Sequence, residues 1–269
     1  MTRLATALTA SNIDFSYGEK KILHSTSIEV LPGQVVGLLG PNGTGKSTLL
    51  GVLSGDLDAT SGSVELFGRA LTSYGRKELA QTRSVMPQAS EFPFAYLVRD
   101  IVAMGRSCWS GSDNEDRTII EDAMSSTDVW DMADRDVTRL SGGEKARVTL
   151  ARVIAQKARL VFLDEPTAAL DISHQERTME MCGQMADEGC AVVAVMHDIQ
   201  LAAAYCDAIA LMSGGRIVAY GKPREVLTTE ALSEVYGWPI SVMELATGDL
   251  AIIPGRTARS ARSSAEKWG

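Results

Sequence analysis

Eight consecutive residues, Gly40-Pro41-Asn42-Gly43-Thr44-Gly45-Lys46-Ser47, have the composition and spacing of a loop that wraps phosphate. Glycines let backbone N–H groups turn inward on phosphate oxygens, and a helix beginning at Lys46 adds the positive end of its dipole. Lys46 is expected to reach the β- and γ-phosphates of a nucleotide, and Ser47, with Thr48 behind it, brings a hydroxyl to Mg²⁺. A second chemistry sits at Asp164-Glu165, where an apolar run ends in two carboxylates. Asp164 is expected to hold Mg²⁺, and Glu165 to take a proton from an attacking water or to orient it. Alone, such a pair also reads as a helix cap; joined to the phosphate loop it points to nucleotide hydrolysis.

Between these two lies Leu140-Ser141-Gly142-Gly143-Glu144, ahead of a helix expected over 145–156. Taken alone it is an N-cap with a flexible turn. It is also a second helix start suited to an anion, although one γ-phosphate needs only one. The economical geometry is a head-to-tail dimer in which Ser141 and Gly143 of each copy complete the other's site.

The elements that must position these groups are legible as apolar runs separated by helix-length amphipathic segments. Runs at 35–39, 160–163 and 191–196 predict buried parallel strands, and strand C-termini are where open α/β sheets bind ligands. The segment 46–53 predicts a helix stopped by Gly55, while 13–17 and 25–30 predict further strands. Residues 107–136 are acidic, with Arg117 and Arg135 as the only cations, and predict an exposed helical insert.

At 269 residues with 45% hydrophobic and 22% charged residues, the chain is long enough for a large core and unlike a disordered or fibrous one. A net charge of −8 argues against a nucleic acid partner. No apolar run approaches the roughly 20 residues of a membrane-crossing helix, and the N-terminus lacks the pattern of a signal peptide. The four cysteines form no C-x-x-C pair and read as reduced, small hydrophobes. Residues 254–269 predict a disordered tail, in which Arg256, Arg259 and Arg262 recur every third position.

With L-S-G-G-E placed between the phosphate loop and the acidic strand end, the chain resembles the nucleotide-binding subunits of ATP-binding-cassette (ABC) transporters over roughly residues 10–245. The resemblance implies an α/β P-loop NTPase cassette: a RecA-like core, an antiparallel β subdomain, and a helical subdomain at about 89–156 inserted in a domain spanning 1–253. It implies ATP and Mg²⁺ as ligands. It also makes Tyr17 the adenine-stacking aromatic, Gln88 the Q-loop glutamine near Mg²⁺ and the lytic water, Asp171 the D-loop aspartate and His197 the switch histidine. His24 and His174 match no motif and read as structural. Two positions depart from the pattern: Lys145 stands where Gln is frequent, and Ala168 where Ser is common.

Lys46 and Ser141 are 95 residues apart with no heptad run, unlike genome-maintenance ATPases, and one motif set is present rather than two. The absence of a fused membrane span favours an importer subunit serving a separate permease dimer, at the cytoplasmic face of the membrane, with a substrate-binding protein acting indirectly. The stretch 85–106, V-M-P-Q-A-S-E-F-P-F-A-Y-L-V-R-D-I-V-A-M-G-R, resembles importers of haem, ferric siderophores and cobalamin, and most of all haem-import ATP-binding subunits. Siderophore or cobalamin import is the alternative, and a non-transport ABC ATPase a more distant one. Phe92, Phe94, Val98 and Ile101 in this stretch read either as a coupling surface or as the apolar side of the helical insert.

Overall fold

A computed structural model describes residues 6–89 and 91–256. The chain opens with β1 (Leu8–Tyr17), β2 (Lys20–Val30) and β3 (Val35–Leu39), followed by α1 (Lys46–Ser54), β4 (Ser61–Leu66), β5 (Arg69–Ala70), α2 (Arg76–Thr82) and β6 (Arg83–Met86). Three helices come next: α3 (Val98–Ala103), α4 (Asp113–Ser126) and α5 (Gly142–Ala155). β7 (Leu160–Asp164), α6 (Ile172–Asp187), β8 (Ala191–Val195), α7 (Ile199–Tyr205), β9 (Ala208–Ser213) and β10 (Arg216–Gly221) return to the sheet. The described chain ends with α8 (Pro223–Val226), α9 (Thr229–Tyr236), β11 (Ile240–Glu244) and β12 (Leu250–Pro254).

The main sheet has the order β10-β9-β3-β8-β7-β6. β9, β3, β8, β7 and β6 run parallel, and β10 is the antiparallel edge. β3 is completely buried because both faces are covered: Val36 and Leu38 enter one hydrophobic cluster, Val35 and Leu39 the other. The same alternation splits β7, with Leu160 and Phe162 on one side and Val161 and Leu163 on the other. This two-sided burial is why these strands appear in the sequence as continuous apolar runs rather than alternating ones. A second, antiparallel sheet of order β2-β1-β4-β5 covers the first face through Leu8, Ile13, Phe15 and Leu23.

α5 carries two apolar stripes. Ala146, Leu150 and Val153 pack on the main core, whereas Val148, Ala151 and Ala155 face a separate cluster with Val98, Ile101, Val102 and Met124 of α3 and α4. Stripes at these helical spacings let one helix belong to two packed bodies. The helical insert is therefore bonded to the core through its own last helix.

The strand expectations at 35–39, 160–163 and 191–196 hold to within a residue, and the helix at 46–53 ends on Gly55 in the left-handed conformation (φ 82°). Other expectations need correction. α5 begins at Gly142, not 145, because Ser141 closes a capping box with Glu144. The acidic insert is not opposed by Arg117 and Arg135 alone: Asp116 pairs with the buried Arg106 at 2.7 Å, and Asp134 and Asp128 pair with Arg99 and Arg177. Of the four apolar residues after the Q-loop, Val98 and Ile101 are buried and Phe92 packs beside them, while Phe94 is 66% exposed. Pro254 ends a strand, and the rest of the expected tail, from 257 onward, lies outside the described residues.

Candidate active site

Parallel strands point their C-terminal ends to one edge, and four of them deliver the residues singled out by sequence. The loop 40–45 follows β3, Gln88 follows β6, Asp164 and Glu165 end β7, and His197 follows β8. Asn42, Gly43, Gly45, Lys46, Ser47, Thr48, Gln88, Glu165 and His197 line one cleft of about 400 Å³. Gly40, Pro41 and Thr44 build the loop behind it. A Cβ on Gly40 would meet the Met212 carbonyl oxygen at 2.2 Å, so only glycine fits where the loop crosses β9. Thr44 Oγ1 donates to Pro41 O at 2.9 Å and stiffens the turn.

Lys46 is buried, and its ammonium donates to the carbonyls of Gly40 (2.7 Å) and Pro41 (3.0 Å). Burial pulls its pKa down, opposed by the charges of Glu165 and Asp164. Asp164 is pushed up, first by burial and also by Glu165, while a hydrogen bond from Ser47 Oγ to its Oδ1 (3.0 Å) opposes the shift. Hydroxyl and carboxylate oxygens meeting beside a phosphate loop are the hard donor set that Mg²⁺ takes, with substrate phosphates and water completing the shell. Among the described residues no cluster of three or more His, Cys, Asp or Glu comes together as a metal cage.

Glu165 adopts φ 53°, a left-handed conformation that costs a non-glycine residue about 1–2 kcal/mol. The bend is held by its N–H donating to Val195 O at 3.1 Å. It turns the carboxylate toward His197, whose Nε2 lies 2.6 Å from Glu165 Oε1; the acid is mostly buried and the imidazole open to the cleft. A mostly buried carboxylate beside an imidazole, at the lining of a cleft, is an arrangement that can accept a proton from water.

The remaining site residues lie outside the cleft. Tyr17 is 56% exposed at the end of β1 and edge-on to Phe15 at 4.8 Å. Ser141 caps α5, donating its hydroxyl to Glu144 Oε2 and accepting from Glu144 N–H, and the Ser141 hydroxyl, followed by its N–H, holds the Glu144 carboxyl below its ordinary value. Gly142 and Gly143 form the first turn behind it. Asp171 caps α6, its carboxyl lowered by the backbone N–H and then the imidazole of His174. His174, which reads as structural in the sequence, and Gln175, which no motif singles out, both bond to this loop; the cap-to-N3 spacing of Asp171 and His174 is the signal the sequence offers for the first.

A second cleft, of about 540 Å³, opens between α3 and α4 and is lined by Arg99, Ala103, Ile120, Met124 and the exposed Trp130 among others. No helix among the described residues is long and apolar enough to cross a membrane.

The model of the ABC transporter family matches residues 23–168. The hemin import ATP-binding protein HmuV of Streptomyces coelicolor is 46% identical over 92% of this chain and 90% of its own length. The protein of the same name from Rhodococcus jostii is 45% identical over 95% and 88%. Among solved structures, an inward-facing putative metal-chelate type ABC transporter superposes with a TM-score of 0.79 at 28% identity, covering 93% of this chain and 98% of that one. cbiO1 of Clostridium perfringens, part of the ABC transporter complex cbiONQ, gives 0.74 at 28% identity over 86% and 94%.

Proposed function

The chain belongs to the ABC transporter family as an ATP-hydrolysing transport ATPase, and from that premise we propose that it energises import of haem through a separate membrane permease. Four strand ends converging on one phosphate-binding cleft carry the ATPase part of this reading. The haem part is supported by relatives named for hemin import at 46% and 45% identity over nearly the whole chain.

In this reading Tyr17 stacks on adenine and the N–H groups of 40–45 wrap the phosphates. Lys46 exchanges its contacts with Gly40 and Pro41 for phosphate oxygens. Ser47 and Asp164, with Gln88 nearby, would hold Mg²⁺, which when bound neutralises phosphate charge. Water attacks the γ-phosphorus while Glu165 takes its proton; the bond to the bridging oxygen breaks and ADP leaves. His197 orients Glu165 and contacts the γ-phosphate. Ser141, Gly142, Gly143, Glu144 and Asp171 complete the site of a second copy, so that two ATP molecules close a head-to-tail homodimer and hydrolysis releases it.

The stretch 85–106 after the Q-loop and the helical subdomain of about 89–156, where a cleft opens beside Trp130, face the permease dimer at the cytoplasmic face of the membrane, and a substrate-binding protein acts only through that permease. Closure changes the permease only to the extent that ATP binds the closed pair more tightly than the open one. A strain lacking this chain, grown on haem or on a ferric siderophore as sole iron source, tests the cargo. Failure on haem alone, rescued by the wild-type chain but not by Lys46→Ala, is the expected result. Failure on the siderophore alone would move the cargo to that class.

A further inference from the structure

Segment 165–171 joins Glu165 to the start of α6, and its shape is held largely by two side chains from the first turns of that helix. Within the segment Ala168 N–H donates to Glu165 O at 3.3 Å and Leu170 N–H to Thr167 O at 3.2 Å. The Gln175 side-chain amide then donates to both Thr167 O and Leu170 O at 3.1 Å. Both partners are carbonyls, so the amide must present its NH₂ and not its oxygen. Beside it His174 Nδ1 lies 2.8 Å from Asp171 Oδ1, the same oxygen that accepts the His174 backbone N–H at 3.0 Å. An ionised carboxylate only accepts, so the imidazole donates from Nδ1.

From the other side the segment abuts the start of α5: a Cβ on Gly143 would come within 3.0 Å of Ala169 O. Capping of α6 needs only Asp171 and backbone N–H groups, so the Gln175 bonds and the imidazole bond are additional to helix formation. Their joint effect is to fix the path between the carboxylate at one end of the segment and Asp171 at the other.

We propose that His174 and Gln175 are positioning residues for ATP hydrolysis, holding segment 165–171 so that Glu165 meets the attacking water while Asp171 is presented to a second copy. The proposal rests on the reading of this chain as a dimerising ATPase. Neither side chain lines the nucleotide cleft, so both act through the loop. Displacement of a reacting group by about 1 Å can cost about 100-fold in rate, so a loosened loop lowers turnover before it lowers binding.

The test is steady-state MgATP hydrolysis by the purified full-length chain, with ATP affinity and melting temperature measured alongside. Gln175→Leu and His174→Phe are expected to lower kcat about tenfold or more while KM and ATP affinity stay within about twofold. His174→Asn, whose side-chain N–H can replace Nδ1–H, is expected to recover most of the loss, and Gln175→Glu to resemble Gln175→Leu. Wild-type kcat in Gln175→Leu and His174→Phe would overturn the proposal. So would His174→Asn as impaired as His174→Phe, or a loss of kcat matched by an equal loss of ATP binding. If Gln175→Leu fails to fold, the His174 pair decides alone. A wild-type chain without turnover would overturn the ATPase reading and the proposal with it, whereas active wild type beside unaffected variants overturns the proposal alone.

Discussion

Glu165 is constrained at two places, by the Val195 carbonyl on its backbone N–H and by His197 on its carboxylate. The first sustains a left-handed bend, and the second sets the imidazole against the carboxylate oxygen. Glu165→Gln keeps size and shape and removes the base of the proposed mechanism, so turnover should fall by about 100-fold or more with ATP binding retained, as read by steady-state hydrolysis beside equilibrium binding. Turnover within a few-fold of wild type would remove the assigned role. A second residue offers a prediction in stability. Asp14 accepts from Lys21, Ser25 N–H and Ser61, which lower its carboxyl from 3.8 to about 2. Its folded pKa lies below the unfolded one, so the stabilisation is present above 3.8 and lost as pH falls toward about 2. Asp14→Asn should therefore melt earlier than wild type near pH 5, with the gap closing near pH 2; a gap that is constant with pH would contradict this.

Elements differ in how plainly the sequence announces them, for physical reasons. β3 and α1 were legible because complete burial makes a continuous apolar run and a phosphate loop demands glycine. β6 was not, since it is four residues long, begins with Arg83 and alternates half-buried with buried positions. The β11–β12 hairpin was missed for a similar reason, being largely half-exposed and short. At the site, residue types and order along the chain identified the cleft-lining groups. The bend at Glu165, the reach of Lys46 to its own loop and the bonds of His174 and Gln175 are properties of three-dimensional approach that no local pattern encodes. The cation opposing Asp116 is not evident from sequence because Arg106 precedes it by ten residues, outside the acidic helix, and is buried against the end of α5, donating to Ala155 O at 3.1 Å. At this scale Ser141→Ala removes the cap of α5, and thermal or denaturant unfolding should report a loss of about 1 kcal/mol. Phe162, fully buried in β7, should cost about 3–5 kcal/mol as Phe162→Ala. A Phe162→Ala chain as stable as wild type would contradict the two-sided packing that fixes Asp164 and Glu165 at the sheet edge.

For the whole molecule, the defining feature is that the cleft gathers the residues to which the proposed reading gives phosphate binding and hydrolysis, while Ser141 to Glu144 and Asp171 stand outside it. In the proposed reading, a chain with two helix starts suited to anions, only one of them at the cleft, completes another copy's site rather than its own. In the proposed reading closure also has to reach the permease, and we place its docking on the helical subdomain, where a cleft opens beside Trp130. Trp130→Asp should uncouple ATP turnover from haem uptake in vesicles containing the permease while the isolated chain hydrolyses ATP as before. Unchanged uptake would place the docking surface elsewhere. The dimer itself is tested most directly by the solution mass of Glu165→Gln with and without saturating MgATP. The expected result is a single copy of 28.8 kDa without nucleotide and about twice that with it, with Lys46→Ala remaining single under both conditions. A Glu165→Gln chain that binds MgATP and stays at the mass of one copy would contradict ATP-driven closure.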